Sequence, residues 1–242
     1  MTQAIVSITK SFINLFYPLH CAACKKSLDP GNEFGVCDFC RGQIRQNPRP
    51  YCGLCGRSLK DNKKLCAECR RSKFYFTKAH SAYLYEGVLK ELIHKFKYNR
   101  KLYLARMLSS LMADFIKENL KILDGIDTIT YVPLSSRRLR TRGFDQAKVL
   151  ASHLAMKFGV PLSDTLKKLK STRNQNELSR DDRLVNLKGA FRMINNTDFL
   201  KGQRVLLIDD VMTTGTTLDE CSKILLDGGA GKVSCLTLAR GL

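Results

Sequence analysis

The sequence has no apolar run long enough to cross a membrane. Its longest apolar stretches, such as residues 205–208, fall far short of the roughly 20 residues that a transmembrane helix needs. The apolar residues near the N-terminus are not preceded by a basic segment, and no small-residue cleavage site follows them, so no signal peptide is indicated. We therefore expect neither a membrane-spanning nor a secreted protein.

Acidic residues are also scarce. The chain has 22 Asp and Glu against 41 Lys and Arg, which gives a formal net charge of +19. Such an excess of positive charge favours polyanionic partners, either nucleic acid or phosphorylated substrates. Hydrophobic residues make up 44% of the 242 residues, which is enough for one full globular domain and a smaller one.

The first 18 residues carry apolar side chains at helical spacing. We interpret residues 1–18 as an amphipathic helix that ends at Pro18. Its polar face lacks the Lys and Arg that are typical of helices lying on a membrane, which favours packing against the rest of the protein. A membrane-surface helix is the alternative. The apolar positions are Ile5, Ile8, Phe12, Leu15 and Phe16.

Eight of the ten cysteines form four Cys-x-x-Cys pairs within the first seventy residues. Two such pairs joined by a short loop are typical of a zinc ribbon, in which four thiolates complete a tetrahedral site. Pairing in sequence order predicts two sites, whereas a cross-brace would join the first and third pairs, and the spacing leaves both open. In sequence order the ligands are Cys21, Cys24, Cys37 and Cys40 for one zinc, and Cys52, Cys55, Cys66 and Cys69 for the other.

We expect both zinc ions to be structural. Four thiolates leave no open coordination position, and the metal replaces a hydrophobic core that so short and polar a segment does not build. Disulfides are the competing chemistry, but nothing directs the chain out of a reducing compartment. A double zinc ribbon is therefore predicted over residues 19–76. The basic and aromatic side chains on its surface suit the backbone phosphates and stacked bases of a nucleic acid. The alternative is that they only keep a small module soluble.

From about His80 the pattern changes to strands that alternate with helices. This predicts an α/β domain with a mainly parallel sheet over residues 80–242. The polar segment 171–186 is long and charged, which indicates a mobile loop that is either a lid or disordered. Cys221 and Cys235 are expected to be small buried apolar residues. Strands are predicted at 80–85, 127–133, 166–170, 188–193, 203–208 and 232–239, and helices at 88–97, 102–119, 144–158 and 216–227.

Residues with recognisable chemistry follow the strand at 203–208, where ligands bind in open α/β sheets. A Thr-Thr-Gly-Thr-Thr turn offers N–H groups and hydroxyls to a phosphate at a helix N-terminus. Two adjacent carboxylates suit sugar hydroxyls with Mg²⁺ nearby, so that a ribose 5-phosphate is indicated. A plain threonine-rich helix cap is the alternative, but it leaves the acids without a role. The residues are Asp209, Asp210, Thr213, Thr214, Gly215, Thr216 and Thr217.

This order of apolar residues, two acids and a Thr/Gly turn resembles the 5-phosphoribosyl-1-pyrophosphate (PRPP) fingerprint of type I phosphoribosyltransferases. The resemblance implies their fold, PRPP with Mg²⁺ as the ligand, and Asp209 and Asp210 as the catalytic acids. The segment after the strand at 127–133 fits the pyrophosphate loop of the same pocket, because arginine forks suit pyrophosphate oxygens. That segment contains Ser135, Ser136, Arg137 and Arg138.

The run Arg-Gly-Phe-Asp-Gln-Ala at 142–147, together with the cysteine-rich front, resembles the ComF/ComFC family of competence proteins. Its motif residues here are Arg142, Gly143 and Gln146. Asp145 departs from the family, which more often has Asn at that position. Segments 90–105 and 175–191 also resemble the basic helix and the flexible loop of the family.

The resemblance implies a role in natural transformation. Family members are expected to handle imported single-stranded DNA in the cytoplasm, at the inner face of the membrane beside a DNA translocase, and the basic composition agrees with a DNA partner. Two alternatives stay open: an active phosphoribosyltransferase on an unidentified base or amine, and a nucleotide-gated interaction protein that binds PRPP or a nucleotide phosphate without catalysis. No hood of the usual size for selecting an acceptor is evident, so the sequence leaves enzymatic activity open.

Overall fold

The computed structural model describes residues 19–61, 63–169, 189–194 and 198–241. The predicted N-terminal helix over 1–18 and the polar connection at 171–186 lie outside these residues. Among the helices of the described ranges, none is long and apolar enough to cross a membrane. The α/β architecture with a cysteine-rich module in front is confirmed.

The cysteine-rich module contains two copies of one small unit. In each copy an isolated β-bridge encloses the first cysteine pair, and a short helix begins directly after the third cysteine. So little regular structure is typical of a domain that is held together by metal. The bridges are His20–Ser27 and Tyr51–Ser58, and the helices are α1 (Asp38–Gly42) and α2 (Ala67–Arg71).

The larger domain alternates strands and helices. Its elements are β1 (Lys78–Leu84), α3 (Gly87–Tyr98), α4 (Leu104–Glu118), β2 (Thr128–Tyr131), α5 (Ser136–Arg142), α6 (Gln146–Phe158), β3 (Leu166–Lys168), β4 (Phe191–Met193), β5 (Arg204–Met212), α7 (Thr216–Asp227) and β6 (Lys232–Arg240), with 3₁₀ turns at Leu120–Ile122 and Asp198–Leu200. Four strands form a parallel sheet in the order β1-β6-β5-β2, and β3 pairs with β4 in a separate antiparallel pair. The central strands are buried on both faces, as their continuous apolar runs require.

Two elements differ from the sequence prediction. The strand expected to end at residue 208 continues to Met212, because its ladder with β6 extends through the pairs Asp209–Thr237 and Met212–Arg240. The segment expected to be a pyrophosphate loop instead begins the helix α5. The Ser135 side chain accepts a hydrogen bond from the backbone N–H of Arg138 at 3.5 Å, which caps this helix at its N-terminus.

Each zinc ribbon packs against a different face of the sheet. Leu206 and Ile208 on β5 join the core that contains the first ribbon and the helices α3, α4 and α6. Val205 and Leu207 point the other way and join the core that contains the second ribbon and α7. Cys221 and Cys235 are fully buried, as expected.

Candidate functional site

A cavity of about 600 Å³ opens at the carboxyl ends of β2 and β5. This is the edge of an open parallel sheet at which ligands bind. The cavity brings together most of the predicted site residues, namely Asp209, Asp210, Thr213, Thr214, Gly215, Thr216, Thr217, Arg138, Arg142 and Gln146. Four others do not line it: Ser135, Ser136, Arg137 and Gly143.

The turn at 213–217, which we name the phosphate turn, joins β5 to α7 at the cavity wall. Gly215 has a φ of +85°, a left-handed conformation that residues with a Cβ rarely adopt. The hydroxyl oxygens of Thr214 and Thr216 lie 2.8 Å apart at the start of the 12-residue helix α7. The N-terminus of a helix presents backbone N–H groups and the positive end of the helix dipole, so the phosphate turn is suited to hold an anion.

Asp209 and Asp210, the acid pair, lie within the last part of β5 on the same cavity. The Lys97 ammonium on α3 donates to Asp210 Oδ1 at 2.8 Å. Burial and the charge of Asp210 raise the pKa of Asp209 to about 8. Burial by itself would lower the pKa of Lys97, because it disfavours the charged form of the amine. The attraction of the Asp210 carboxylate is stronger than this effect, so the pKa of Lys97 is raised. Asp209 therefore favours its protonated form at neutral pH.

Replacing Asp209 with Asn should stabilise the protein at alkaline pH. The folded-state pKa of about 8 lies above the ordinary value near 4, so ionisation opposes folding increasingly as the pH rises from 4 to 8. At pH 9 the free energy of unfolding should be higher in D209N by up to about 5 kcal/mol, and at pH 4 it should be unchanged. Urea unfolding at both pH values measures this. If D209N were less stable than the wild type at pH 9, the claim that the ionised Asp209 carboxylate destabilises the folded protein would be wrong.

Three cations, which we name the basic wall, line another part of the cavity: Arg138, Arg142 and Lys168. The Arg142 Nη1 donates to the side-chain oxygen of Gln146 at 2.8 Å, and its guanidinium carbon lies 4.9 Å from the ring centroid of Tyr98. Burial, and next the charge of Arg138, lowers the pKa of Lys168 to about 8. A surface that gathers three cations favours a multiply charged anion, because each cation is stabilised by it.

Sequence reasoning missed Lys97 and Lys168. Lys97 lies on α3, within the segment 90–105 that resembles the basic helix of the family, and Lys168 ends β3, but the sequence assigned neither residue to the cavity. Ser135, which does not line the cavity, forms a β-bridge with Lys168 and so helps to position that lysine. Only the folded chain brings these residues to one cavity.

Asp145, the position that departs from the family pattern, lines the cavity. Its carboxylate accepts hydrogen bonds from the backbone N–H of Leu134 at 2.7 Å and of Lys148 at 3.2 Å, through different oxygens. These bonds cap α6 and hold the segment after β2 in place. An asparagine side chain has one acceptor oxygen instead of two. The carboxylate therefore serves both N–H groups, although burial raises the pKa of Asp145.

The eight paired cysteines form two clusters in which all four sulfur atoms lie within 4.8 Å of one another. The Sγ atoms of Cys24 and Cys37 are 3.7 Å apart, and those of Cys55 and Cys66 are 3.8 Å apart. Zinc–sulfur bonds of about 2.3 Å at tetrahedral angles place two ligands roughly 3.8 Å apart. The clusters fit two structural zinc ions and follow the sequence order, so the cross-braced alternative is wrong. They comprise Cys21, Cys24, Cys37 and Cys40, and Cys52, Cys55, Cys66 and Cys69.

The chain that leaves the second zinc ribbon packs directly against the phosphate turn. The rings of Phe74 and Phe76 are stacked with centroids 4.8 Å apart, and they lie 3.7 and 3.8 Å from the position that a Cβ on Gly215 would occupy. The backbone N–H of Tyr75 donates at 2.5 Å to Oδ1 of Asp219, in the first turn of α7. The second zinc site and the phosphate turn are therefore in one continuous packing unit.

Comparison with known proteins agrees with both parts of this architecture. Residues 12–71 match the double zinc ribbon domain family, and residues 141–242 match the phosphoribosyl transferase domain family. The chain is 32% identical to competence protein F of Haemophilus influenzae over 228 residues, which cover 93% of this chain and 98% of that protein. It is 31% identical to the DNA utilization protein YhgH of Salmonella typhimurium, with 87% and 92% covered, and 30% identical to competence protein ComFC of Bacillus subtilis, with 85% and 84% covered. The chain therefore belongs to the ComF/ComFC family of competence proteins, which joins a double zinc ribbon to a phosphoribosyltransferase domain.

Proposed function

We propose that the protein binds PRPP with Mg²⁺ and handles imported single-stranded DNA during natural transformation. The observation that carries the PRPP part is that one cavity contains both the acid pair and the phosphate turn. The competence names of the relatives in Haemophilus influenzae and Bacillus subtilis support the cellular role.

The three chemical parts of PRPP match three parts of the cavity. The 5-phosphate suits the phosphate turn, with its hydroxyls and its helix N-terminus. The ribose diol suits the acid pair, because carboxylates accept strong hydrogen bonds from hydroxyls. The pyrophosphate suits the basic wall. Mg²⁺ would be held by the ligand's own oxygens and by Asp209, whose proton would leave as the cation arrives.

Transfer is the second candidate activity, and the α3 side of the cavity favours it. Tyr85, Lys90, His94 and Tyr98 line that side, with the rings of His94 and Tyr98 4.7 Å apart. This surface suits a flat base or an amine as acceptor. The acceptor would bond to C1 of the ribose while the C1–oxygen bond breaks, and pyrophosphate would leave with the bonding electrons. The basic wall would stabilise the charge on that leaving group.

Binding of single-stranded DNA by the whole protein should weaken steeply with salt. Each phosphate that a Lys or Arg neutralises releases counterions, so the logarithm of the affinity falls with the logarithm of salt by about 0.7 per contact. For about four contacts, raising the salt from 50 to 200 mM should lower the affinity roughly 50-fold. Fluorescence anisotropy of a labelled oligonucleotide measures this. Absent or salt-insensitive binding would remove DNA handling from the proposal.

The same proposal places the protein in the cytoplasm, at the inner face of the membrane beside the DNA translocase of the uptake machinery. The support is chemical, because eight thiolates in two zinc-type clusters persist in a reducing compartment rather than an oxidising one.

A further inference from the structure

A second concave region lies at the edge of the sheet opposite the acid pair. The amino ends of β1, β5 and β6 meet there, between the second zinc ribbon and the carboxyl end of α4. Two adjoining hollows of about 600 and about 730 Å³ share four wall residues. We name the joined hollows the amino-edge groove. The shared residues are Arg49, Lys78, His80 and Asn119.

The amino-edge groove is strongly basic. Arg204 pairs with Lys232, and Lys78 pairs with Ser234, so these side chains share one face of the parallel sheet. The three strands that carry them span only about 10 Å. Six cations line the groove against two carboxylates, which leaves an excess of four positive charges. The cations are Arg49, Lys78, Lys117, Lys121, Arg204 and Lys232, and the carboxylates are those of Glu118 and Asp124.

The protein itself neutralises only part of this charge. Among the groove cations, the Nζ of Lys117 lies 3.8 Å from Oδ1 of Asp114. Within the described ranges, no carboxylate oxygen lies within 4.0 Å of the ammonium nitrogens of Lys78, Lys121 or Lys232. Glu118 instead accepts a hydrogen bond from the amide of Gln46 at 3.0 Å. Cations gathered in a concave surface attract a polyanion more strongly than the same cations scattered over a convex one.

The floor of the groove carries flat and uncharged polar groups. The ring of Tyr51 is half-buried, and the Arg49 guanidinium carbon lies 5.8 Å from its centroid. Burial lowers the pKa of His80 to about 4, so its ring is neutral at physiological pH. Asn119 and Ser234 add an amide and a hydroxyl. Aromatic faces beside a basic track are the combination with which proteins hold unstacked bases and the phosphates that join them.

We propose that the amino-edge groove is a binding site for single-stranded nucleic acid, with phosphates on Lys78, Lys121, Arg204 and Lys232 and bases against Tyr51 and His80. This proposal rests on the DNA-handling function and assigns it a place. The site lies on the opposite edge of the sheet from the PRPP cavity, so both ligands can be bound at once. The carboxylates of an acidic peptide would pair with the cations, but such a peptide has no bases to stack against Tyr51 and His80.

The test compares two charge-matched double variants by anisotropy with a labelled single-stranded oligonucleotide. K78Q/K232Q removes two groove cations, and K157Q/K167Q removes two exposed cations that line neither hollow. K78Q/K232Q should bind about tenfold more weakly at 100 mM salt, with a salt slope shallower by about 1.4. K157Q/K167Q should bind like the wild type. Unchanged zinc content and PRPP binding would show that both variants fold.

A third variant, Y51L, separates base contacts from charge. It should lower the affinity about tenfold without changing the salt slope, because stacking involves no counterion release. Poly-glutamate of matched charge should compete poorly with the oligonucleotide. If the wild type binds DNA but K78Q/K232Q matches K157Q/K167Q, the groove assignment is overturned while DNA handling stands. If poly-glutamate competes as well as DNA, the occupant is a protein. If the wild type binds no DNA, the proposed function itself fails.

Discussion

Asparagine at both Asp209 and Asp210 should lower the affinity for PRPP and Mg²⁺ by at least about 100-fold. Each carboxylate is expected to accept a charge-assisted hydrogen bond from the ribose diol, and such bonds contribute about 1.5–3 kcal/mol each. Two of them therefore account for two or more powers of ten in affinity. Asparagine keeps the shape of the side chain but not its charge, so the loss reports on the interaction rather than on packing. Isothermal titration with PRPP in the presence of Mg²⁺ measures the change.

A matched control removes two carboxylates elsewhere on the domain. D164N/D227N changes two residues that do not line the cavity, and it should bind PRPP as the wild type does. The same variants also decide between transfer and binding alone. If the wild type releases pyrophosphate from PRPP with some acceptor, D209N/D210N should not, whereas a sensor leaves PRPP intact in every variant. PRPP affinity that persists in D209N/D210N would mean that the diol is not held by the acid pair.

Loss of the second zinc ion should damage the PRPP cavity, although no zinc ligand has to touch PRPP. C66S/C69S removes two ligands of that ion. The ribbon would then no longer hold Phe74 and Phe76 against Gly215 or the Tyr75 N–H against Asp219. Because metal-bound modules of this size depend on the metal for folding, the phosphate turn should lose its support. We expect PRPP affinity to fall at least about tenfold, with zinc reduced from two ions to one per chain.

The first ribbon provides the comparison. C37S/C40S removes two ligands of the other ion, whose module packs on α3 and α4 at the opposite face of the sheet. It should also lose one zinc ion, but its effect on PRPP affinity should be several-fold smaller, because none of the described residues of that ribbon lines the cavity. Zinc quantification and titration of both variants, at equal protein concentration, measure the difference. Equal losses would show general destabilisation rather than a contact with the turn.

Sequence reasoning predicted those parts of the protein whose functional residues lie close together along the chain. Four cysteines at ribbon spacing identify a zinc site without any knowledge of the fold. The strand, acid pair and phosphate turn likewise occupy adjacent positions, so residues 205–217 were sufficient to predict an anion site beside a diol site. The end of β5 was misplaced because acidic residues are poor strand formers, and only the ladder with β6 keeps Asp209 and Asp210 extended.

Other residues became visible only in the folded chain. Lys97 and Lys168 reach the cavity from α3 and β3. Lys97 lies in the basic segment 90–105, but the sequence alone did not place either residue at the cavity. The predicted loop at 135–138 became the start of α5 because one serine hydroxyl caps it and Gly143 ends it at a φ of +84°. A cap of this kind competes closely with a loop in free energy, so sequence pattern alone does not decide between them.

The amino-acid sequence by itself determined the two zinc-type cysteine clusters and the α/β class, and it predicted the anion and diol site after β5, because each depends on residues a few positions apart. Tertiary structure alone decided that the two ribbons lie on opposite faces of the sheet, that the second one supports the phosphate turn, and that basic side chains from three strands meet in the amino-edge groove. The physical reason is distance along the chain. Tyr75 and Asp219 are 144 residues apart, and only the pairing order of a parallel sheet brings such positions together.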